Sequence, residues 1–370
     1  MSTGKHILIT GGAGFIGPRL ADELLAAGYQ EKEHKDSTVQ DKTNTESREY
    51  CGIMQAAVIT EPNNVIIEDV NIPEPASDEV RVRLEGCGVC SSNLPPWEGR
   101  PWFNYPMEPG ALGHEGWGQV DAIGSDVNNI TIGDRVAFIS NHAYAQYDVA
   151  PASNVIRLPH SLGRNAFPGE PLGCAMNIFR RSEIYSGQTI AIIGIGFLGA
   201  LLTRLASLAG TRVIAISRRP FSLEVAKSMG ADEIIEMNDH CQIIKRVSNI
   251  TEGKFCDCTV EATGKQWPLD LAGEITCERG RMVIAGYHQE GLRQVNMQLW
   301  NWRGIDVINA HERDMSIYME GMKLAVDAVS GGLLNPADLL TNDYPLESLG
   351  EALDATRDRP DGFLKAVVRL

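Results

Sequence analysis

Residues 188–210 read QTIAIIGIGFLGALLTRLASLAG, and no other stretch limits the fold of this 370-residue chain so tightly. A short apolar run, the length of one buried strand, leads into Gly194, Gly196 and Gly199, and an amphipathic helical pattern follows. The first two glycines permit a tight turn and close approach of the backbone to a pyrophosphate. The third lets the helix pack near the strand, so that the helix N-terminus, with Phe197 and Leu198, faces the phosphates. The spacing alone also occurs in plain structural turns; the complete strand–turn–helix context is what marks a dinucleotide site.

The pattern continues downstream. TRVIAIS at 211–217 reads as a second strand and FSLEVAKSMG as a helix ending at Gly230. CDCTVEATG and GRMVIAGY read as later strands. This alternation predicts an α/β domain with a doubly wound parallel sheet, a Rossmann domain, over 181–315. Where an NAD site carries an acidic residue at the end of the second strand, this chain has Ser217, Arg218 and Arg219. A hydroxyl and two guanidiniums suit a 2′-phosphate, so NADP(H) is expected in preference to NAD(H). The plainer reading makes both arginines a solvated helix start. Tyr287, His288 and Gln289 follow a strand end and are expected at the cofactor or substrate.

Upstream, 54–160 is strand-rich: MQAAVIT, NVIIEDV, DEVRVRLEG, GDRVAFI and YAQYDVA alternate or cluster apolar residues between turn signals. No long helix is expected before residue 165. The formal charge of −15 argues against nucleic acid and anionic membranes as partners. No apolar run is long enough to span a bilayer, and the N-terminus lacks a signal-peptide layout. The eight cysteines, at 51, 87, 90, 174, 241, 256, 258 and 277, are too sparse and irregular for a disulfide scaffold. A reduced, cytoplasmic protein is the simpler expectation, and it leaves thiols free to be ligands.

Three segments stand out together: GCGVCSSN at 86–93, LGHEGWGQV at 112–120 and GEPLGCAMN at 169–177. Cys90, His114 and Cys174 would supply two thiolates and an imidazole, a set that suits zinc with a fourth position open. Singly, each is as readily a buried thiol or a core histidine. With GDRV at 133–136, Pro-Leu-x-Cys at 171–174 and the glycine turn, all in order, residues 54–370 resemble the zinc-containing medium-chain dehydrogenase/reductase family.

The resemblance implies a GroES-like catalytic domain over 54–180, the Rossmann domain, and a C-terminal segment over 316–370 that rejoins the catalytic domain. By that resemblance Cys90, His114 and Cys174 match the ligands of one catalytic zinc, and Glu115 the acidic neighbour behind the metal. Ser92 matches the hydroxyl that relays the substrate proton, and Glu170 a carboxylate that approaches the metal in the polyol branch. The expected activity is hydride transfer between NADP(H) and a small secondary alcohol or ketone, on a polyol, cyclitol or sugar-derived compound, by a homodimer or homotetramer. A zinc-independent quinone or enone reductase and a non-catalytic dinucleotide-binding protein are the competing readings; the apparent ligand set and Ser92 argue against both.

The chain departs from the family pattern in three places. Asn93 stands where an Asp usually orients the zinc-bound histidine, and its amide oxygen is expected to accept from the imidazole instead. Pro95 stands where a histidine often ends the proton relay, which turns attention to His142. Only ISNHA separates Phe138 from Tyr144, so the four-cysteine structural-zinc lobe is missing. Trp97, Trp102, Phe103 and Trp117 are candidate pocket aromatics, and Arg303, His311 and Arg313 candidate polar groups at the cleft mouth. Finally, residues 5–28, KHILITGGAGFIGPRLADELLAAG, resemble the opening of an extended short-chain dehydrogenase. A polar stretch at 30–50 then cuts this fragment off, so 1–53 is expected to be a partial βα extension with a linker.

Overall fold

A computed structural model describes residues 52–370. The expected βα fragment and linker, including its glycine-rich turn at 10–17, lie outside the described residues apart from Gly52 and Ile53.

The chain opens with a hairpin, β1 (Ile53–Glu61) and β2 (Asn64–Asn71), followed by β3 (Glu79–Gly88), the single turn α1 (Leu94–Trp97), β4 (Gly116–Ile123), β5 (Arg135–Phe138), β6 (Tyr147–Pro151) and β7 (Val155–Arg157). Strict alternation in β3 buries Val80, Val82 and Leu84 and turns Arg81 and Arg83 away from that core. One edge of β3 pairs with β4. Its other edge is shared end to end, by β6 along Glu79–Arg83 and by the C-terminal β15 (Ala366–Arg369) along Gly86–Gly88. The last strand of the chain therefore sits beside the Cys87–Cys90 segment.

The first long helix, α2 (Gly169–Ser182), leads into an alternating run: β8 (Thr189–Ile193), α3 (Phe197–Leu208), β9 (Arg212–Ser217), α4 (Pro220–Ser228), β10 (Glu233–Glu236), α5 (His240–Ile250), β11 (Cys256–Glu261), α6 (Gln266–Ile275), β12 (Thr276–Ile284), α7 (Met297–Arg303) and β13 (Asp306–Asn309). The six strands form one parallel sheet ordered β10-β9-β8-β11-β12-β13. Both faces are covered. Ile190 and Ile192 of β8 and Val213 and Ala215 of β9 join the core beneath α3, while Ala191, Ile193, Ile214 and Ile216 join the core of the opposite face. The strand order reverses between β8 and β11, which opens a crevice at the strands' C-terminal ends where the glycine turn lies. Helix α8 (Met315–Ser330) then packs on α2. The strand β14 (Asn342–Pro345), helix α9 (Leu349–Asp358) and β15 return the chain to the first sheet. Cys256 and Cys258 are core residues of β11.

Candidate active site

One cleft of about 1940 Å³ takes in the glycine turn, Ser217–Arg219 and the Cys90–His114 region together. Its chemistry is set at the ends of three adjacent strands. Cys90 follows β3, Glu115 precedes β4, and Lys365 precedes β15, whose pairing continues as Val89 N–H donates to the Ala366 carbonyl. The ligand atoms of Cys90, His114 and Glu115 all lie within 4.8 Å of one another. Glu115 is fully buried, and Gly88 makes room for it: a Cβ on Gly88 would fall 1.8 Å from Glu115 Oε2. The Lys365 ammonium sits 2.6 Å from Glu115 Oε1, while Oε2 has no hydrogen-bond partner among the described residues.

His114 is oriented through the backbone. Its Nδ1 lies 2.8 Å from the Leu112 carbonyl, and donation there leaves Nε2 as the ring nitrogen for other partners. The expectation that Asn93 accepts from this imidazole is corrected. Asn93 Oδ1 is taken by the Tyr144 hydroxyl (2.9 Å) and the Cys90 N–H (3.3 Å), and its Nδ2 donates to the same Leu112 carbonyl at 3.0 Å. The amide thus steers His114 at one remove. Leu112 adopts φ +75°, a left-handed conformation disfavoured for a branched side chain, at the residue whose carbonyl serves both partners.

Cys174 stands apart from the tight triplet. It is turned toward Glu170, one helical turn earlier on α2, and its thiol donates to Oε1 at 3.1 Å. Both residues line the cleft with Cys90 and His114. Burial first, and the Glu170 charge second, push the Cys174 thiol well above its ordinary pKa; burial also raises Glu170. Burial works against the His114 cation, but the hydrogen bond and charge of Cys90, with Glu170 and Glu115, outweigh it and lift the imidazole to about 10. Two thiols, two carboxylates and an imidazole line one cleft, with Lys365 as the buried ammonium partner of Glu115. A soft, divalent cation fits that donor set and the unpartnered Glu115 oxygen, and zinc is the ion that mixed sulfur and nitrogen ligands favour.

Ser92 is half-buried, lines the cleft and makes no hydrogen bond among the described residues. Pro95 lies in the wall. His142 lies in it too, with Nε2 2.9 Å from Glu108, and no hydrogen bond joins it to Ser92. The pocket aromatics differ from those expected. Trp97 and Trp117 are core side chains at 2% and 0% exposure, and Trp102 and Phe103 pack on each other outside the cleft. Trp117 fills the space beside Gly86, where a Cβ would come within 2.4 Å of its ring. Tyr287 lines the cleft as expected, stacked on His311, and the other rings in the wall are Phe197, Trp267, Tyr318 and Phe363. Arg313 lines the cleft as expected of a mouth residue, whereas Arg303 donates to the carbonyls of Gly273, Glu274 and Thr276 and lies away from it.

The dinucleotide half is built from the turn after β8. Gly194 has φ +98°, and a Cβ on Gly199 would meet the Gly194 carbonyl at 2.0 Å, so the third glycine lets the turn fold back on itself. A Cβ on Gly196 would meet nothing within 4 Å, which leaves open room at the start of α3, where Gly196, Phe197 and Leu198 line the cleft. That is the cradle a pyrophosphate fits. Across the crevice, buried Glu261 at the end of β11 accepts from the Thr263 N–H (2.7 Å), the Thr263 hydroxyl and His288 Nε2 (2.9 Å). Arg293 Nε donates to His288 Nδ1 at 3.1 Å, so His288 is held as the Nε2–H tautomer and the 285–290 loop is tied to the sheet. Lys365, Tyr318, Glu261 and Arg293 carry no sequence motif, whereas His288, expected at the cofactor or substrate, lies in this network bonded to Glu261 and Arg293.

The cleft's two halves match two family models. Residues 76–160 match the alcohol dehydrogenase GroES-like domain, and residues 198–327 match the zinc-binding dehydrogenase domain. The chain is 26% identical over 347 residues to a sorbitol dehydrogenase from Bacillus subtilis, covering 85% of this chain and 97% of that protein. It is 25% identical over 319 residues to a D-arabitol-phosphate dehydrogenase from Enterococcus avium, covering 77% and 89%. Its fold is similar to the crystal structure of 2R,3R-butanediol dehydrogenase from Bacillus subtilis, with a TM-score of 0.75 at 22% identity over 86% of this chain and 99% of that one. The two matched domains, in the order the fold requires, with these full-length relatives, make this chain an oxidoreductase of the zinc-type medium-chain dehydrogenase/reductase family, among its alcohol and polyol dehydrogenases.

Proposed function

We propose that the protein is a zinc-dependent dehydrogenase that passes hydride between NADP(H) and a secondary alcohol or its ketone on a polyol, cyclitol or sugar-derived compound. One observation carries the reading: Cys90, His114 and Glu115, within 4.8 Å of one another, share a cleft with the open glycine turn at Gly196. The polyol names of the sorbitol and arabitol-phosphate relatives support the substrate class.

Cys90, His114 and Cys174 would hold the metal, with Glu115 and Glu170 as the carboxylates in reach of it. When bound, zinc polarises the substrate oxygen and lowers the alcohol's pKa, and the nicotinamide takes or gives the hydride. The chain's own residues do the rest. The Leu112 carbonyl fixes the His114 tautomer, with Asn93 holding that carbonyl in place. Lys365 sets its ammonium against Glu115 in a buried setting. The uncommitted Ser92 hydroxyl accepts the substrate proton and passes on its own, since a hydroxyl both donates and accepts. Gly194–Gly199 and the N-terminus of α3 bind the pyrophosphate, while Ser217 and the neighbouring Arg218 select the 2′-phosphate. The Glu261–His288–Arg293 network sets the loop that carries Tyr287. The protein is read as cytoplasmic and as a homodimer or homotetramer, with a small molecule as its partner.

The test is zinc per chain by elemental analysis of protein purified without chelator or added metal, beside Cys90→Ala and Cys174→Ala. The expected result is close to one zinc in the parent and a clear loss in both variants, together with NADP(H)-linked turnover of a polyol and ketone panel that the variants lack. A well-folded parent that stays metal-free after zinc reconstitution overturns the reading.

A further inference from the structure

The adenosine end of the cleft gathers arginines from two distant parts of the chain. Ser217 closes β9, Arg218 follows it, Arg219 caps the start of α4, and Arg359 caps the C-terminus of α9; all line the cleft. Their commitments differ. Arg219 Nη1 donates to the Phe363 carbonyl at 2.5 Å, so this guanidinium ties the nucleotide-binding sheet to the returning C-terminal segment. Arg218 makes no hydrogen bond or ion pair among the described residues. Arg359 has only two long contacts, both 3.4 Å, to the Thr356 carbonyl and the Ser91 hydroxyl. A guanidinium carries five N–H donors, so most of those on Arg359 are unspent.

The nearby acids do not neutralise the pair. Asp358 is held by Arg357 through two contacts, at 2.8 and 3.1 Å, and the charge of Asp361 acts on Arg219. Loss of hydration first, and the Arg218 charge second, lower the pKa of Arg359, and the Arg219–Phe363 bond brings the 359–363 segment to the end of β9 in the same cleft. In a chain of net charge −15 such a cluster is an anion site. Its place at the end of the second strand of the sheet is where the adenosine ribose lies, away from the pyrophosphate turn at Gly196.

We infer that Arg359, from the C-terminal catalytic segment, and not Arg219 is the second guanidinium on the cofactor's 2′-phosphate, gripping it opposite Arg218 and Ser217. This inference rests on the proposed NADP(H) reading and adds to it that the selecting charge comes from outside the nucleotide-binding sheet. Arg219 acts as a positioning residue that holds the two parts of the cleft together, with no stake in which cofactor binds.

The backbone supplies a clean variant. Arg359 sits at φ 49°, ψ 63°, a left-handed helix cap where glycine is the unstrained choice. Arg359→Gly is therefore expected to fold with an unchanged or higher melting temperature. Binding of adenosine 2′,5′-bisphosphate and of ADP is measured by calorimetry on the zinc-loaded protein. The parent is expected to prefer the bisphosphate. Arg359→Gly should weaken it by about 10- to 100-fold, the worth of charge-assisted hydrogen bonds, and move ADP by less than about twofold. Arg359→Lys should recover part of the loss, and Arg219→Gln should leave the ratio of the two ligands unchanged. If Arg359→Gly keeps the parent's ratio while Arg218→Gly collapses it, Arg359 is not a phosphate ligand and the cofactor reading survives. If the parent itself shows no preference for the bisphosphate, the cofactor reading falls and takes this inference with it.

Discussion

Lys365 Nζ lies 2.6 Å from Glu115 Oε1, and the two side chains keep only 7% and 0% of their exposure. A buried ion pair adds little net stability, but removing one partner strands the other charge at a cost of about 3–5 kcal/mol. Lys365→Met in metal-stripped protein is expected to lose stability on that scale, and Lys365→Met combined with Glu115→Gln should recover much of it. Urea unfolding of the parent, both single variants and the double variant forms the cycle. A Lys365→Met variant as stable as the parent, or a double variant no better than Lys365→Met, would show that the pair is not coupled. Lys365 also lies 5.4 Å over the Phe197 ring at the start of α3, so the same variant is expected to bind dinucleotide more weakly.

Gly88 and Glu115 make a second, steric prediction. A methyl group on Gly88 would stand 1.8 Å from Glu115 Oε2, and Glu115 is enclosed. Gly88→Ala must expel the carboxylate or shift the end of β3, which also carries Cys90. The expected outcome is a stability loss of about 1–3 kcal/mol with a fall in bound zinc. Elemental analysis beside thermal unfolding checks it, and full zinc content at the parent's melting temperature would contradict it.

How much of this was legible in the chain depended on whether a function resided in contiguous residues. Gly194, Gly196 and Gly199 announce themselves because the turn, the strand before it and the helix after it are all local. Cys90, His114 and Cys174 were readable as three short segments in family order, and the structure lines one cleft with all three. Lys365 was not readable. It is one lysine in LKAVVRL, and its partner Glu115 is 250 residues away, joined to it only because β15 and β4 flank the same end of β3. The Asn93 expectation failed for a related reason. Sequence order says which residue replaces an aspartate, while the Tyr144 hydroxyl that claims its oxygen comes from another segment of the sheet domain. Trp97 and Trp117 looked like pocket walls because they sit in the motif segments, yet their neighbours there are the core.

The glycine turn itself separates folding from binding. Gly199→Ala forces a Cβ to within 2.0 Å of the Gly194 carbonyl, whereas Gly196→Ala places its methyl in open space. Gly199→Ala is expected to destabilise the protein by about 1–3 kcal/mol. Gly196→Ala is expected to melt with the parent while losing dinucleotide affinity at least tenfold, because the added methyl occupies the pyrophosphate's approach. Cofactor titration followed by nicotinamide fluorescence, with melting curves, distinguishes the two. A Gly196→Ala protein that binds normally would move the phosphates to another part of the cleft.

Asp148 gives a prediction with a pH signature. It is 3% exposed, and burial raises its pKa above the ordinary aspartate value despite hydrogen bonds from Ser140, Val149 and the His142 backbone. The folded state therefore binds this proton more tightly than the unfolded chain does. The stability linked to it is fully present below the unfolded value of about 4 and is lost as pH rises through the folded value. Asp148→Asn cannot ionise. It forfeits one acceptor at every pH, but it escapes the pH-dependent cost. The difference in unfolding free energy between variant and parent should shift in the variant's favour as pH climbs from about 3.5 towards neutrality, then level off. Urea denaturation of both proteins at half-unit pH steps reads this directly. A difference that stays flat would mean that Asp148 titrates alike in the folded and unfolded chain, and one that moves in the parent's favour would mean that its hydrogen bonds outweigh its burial.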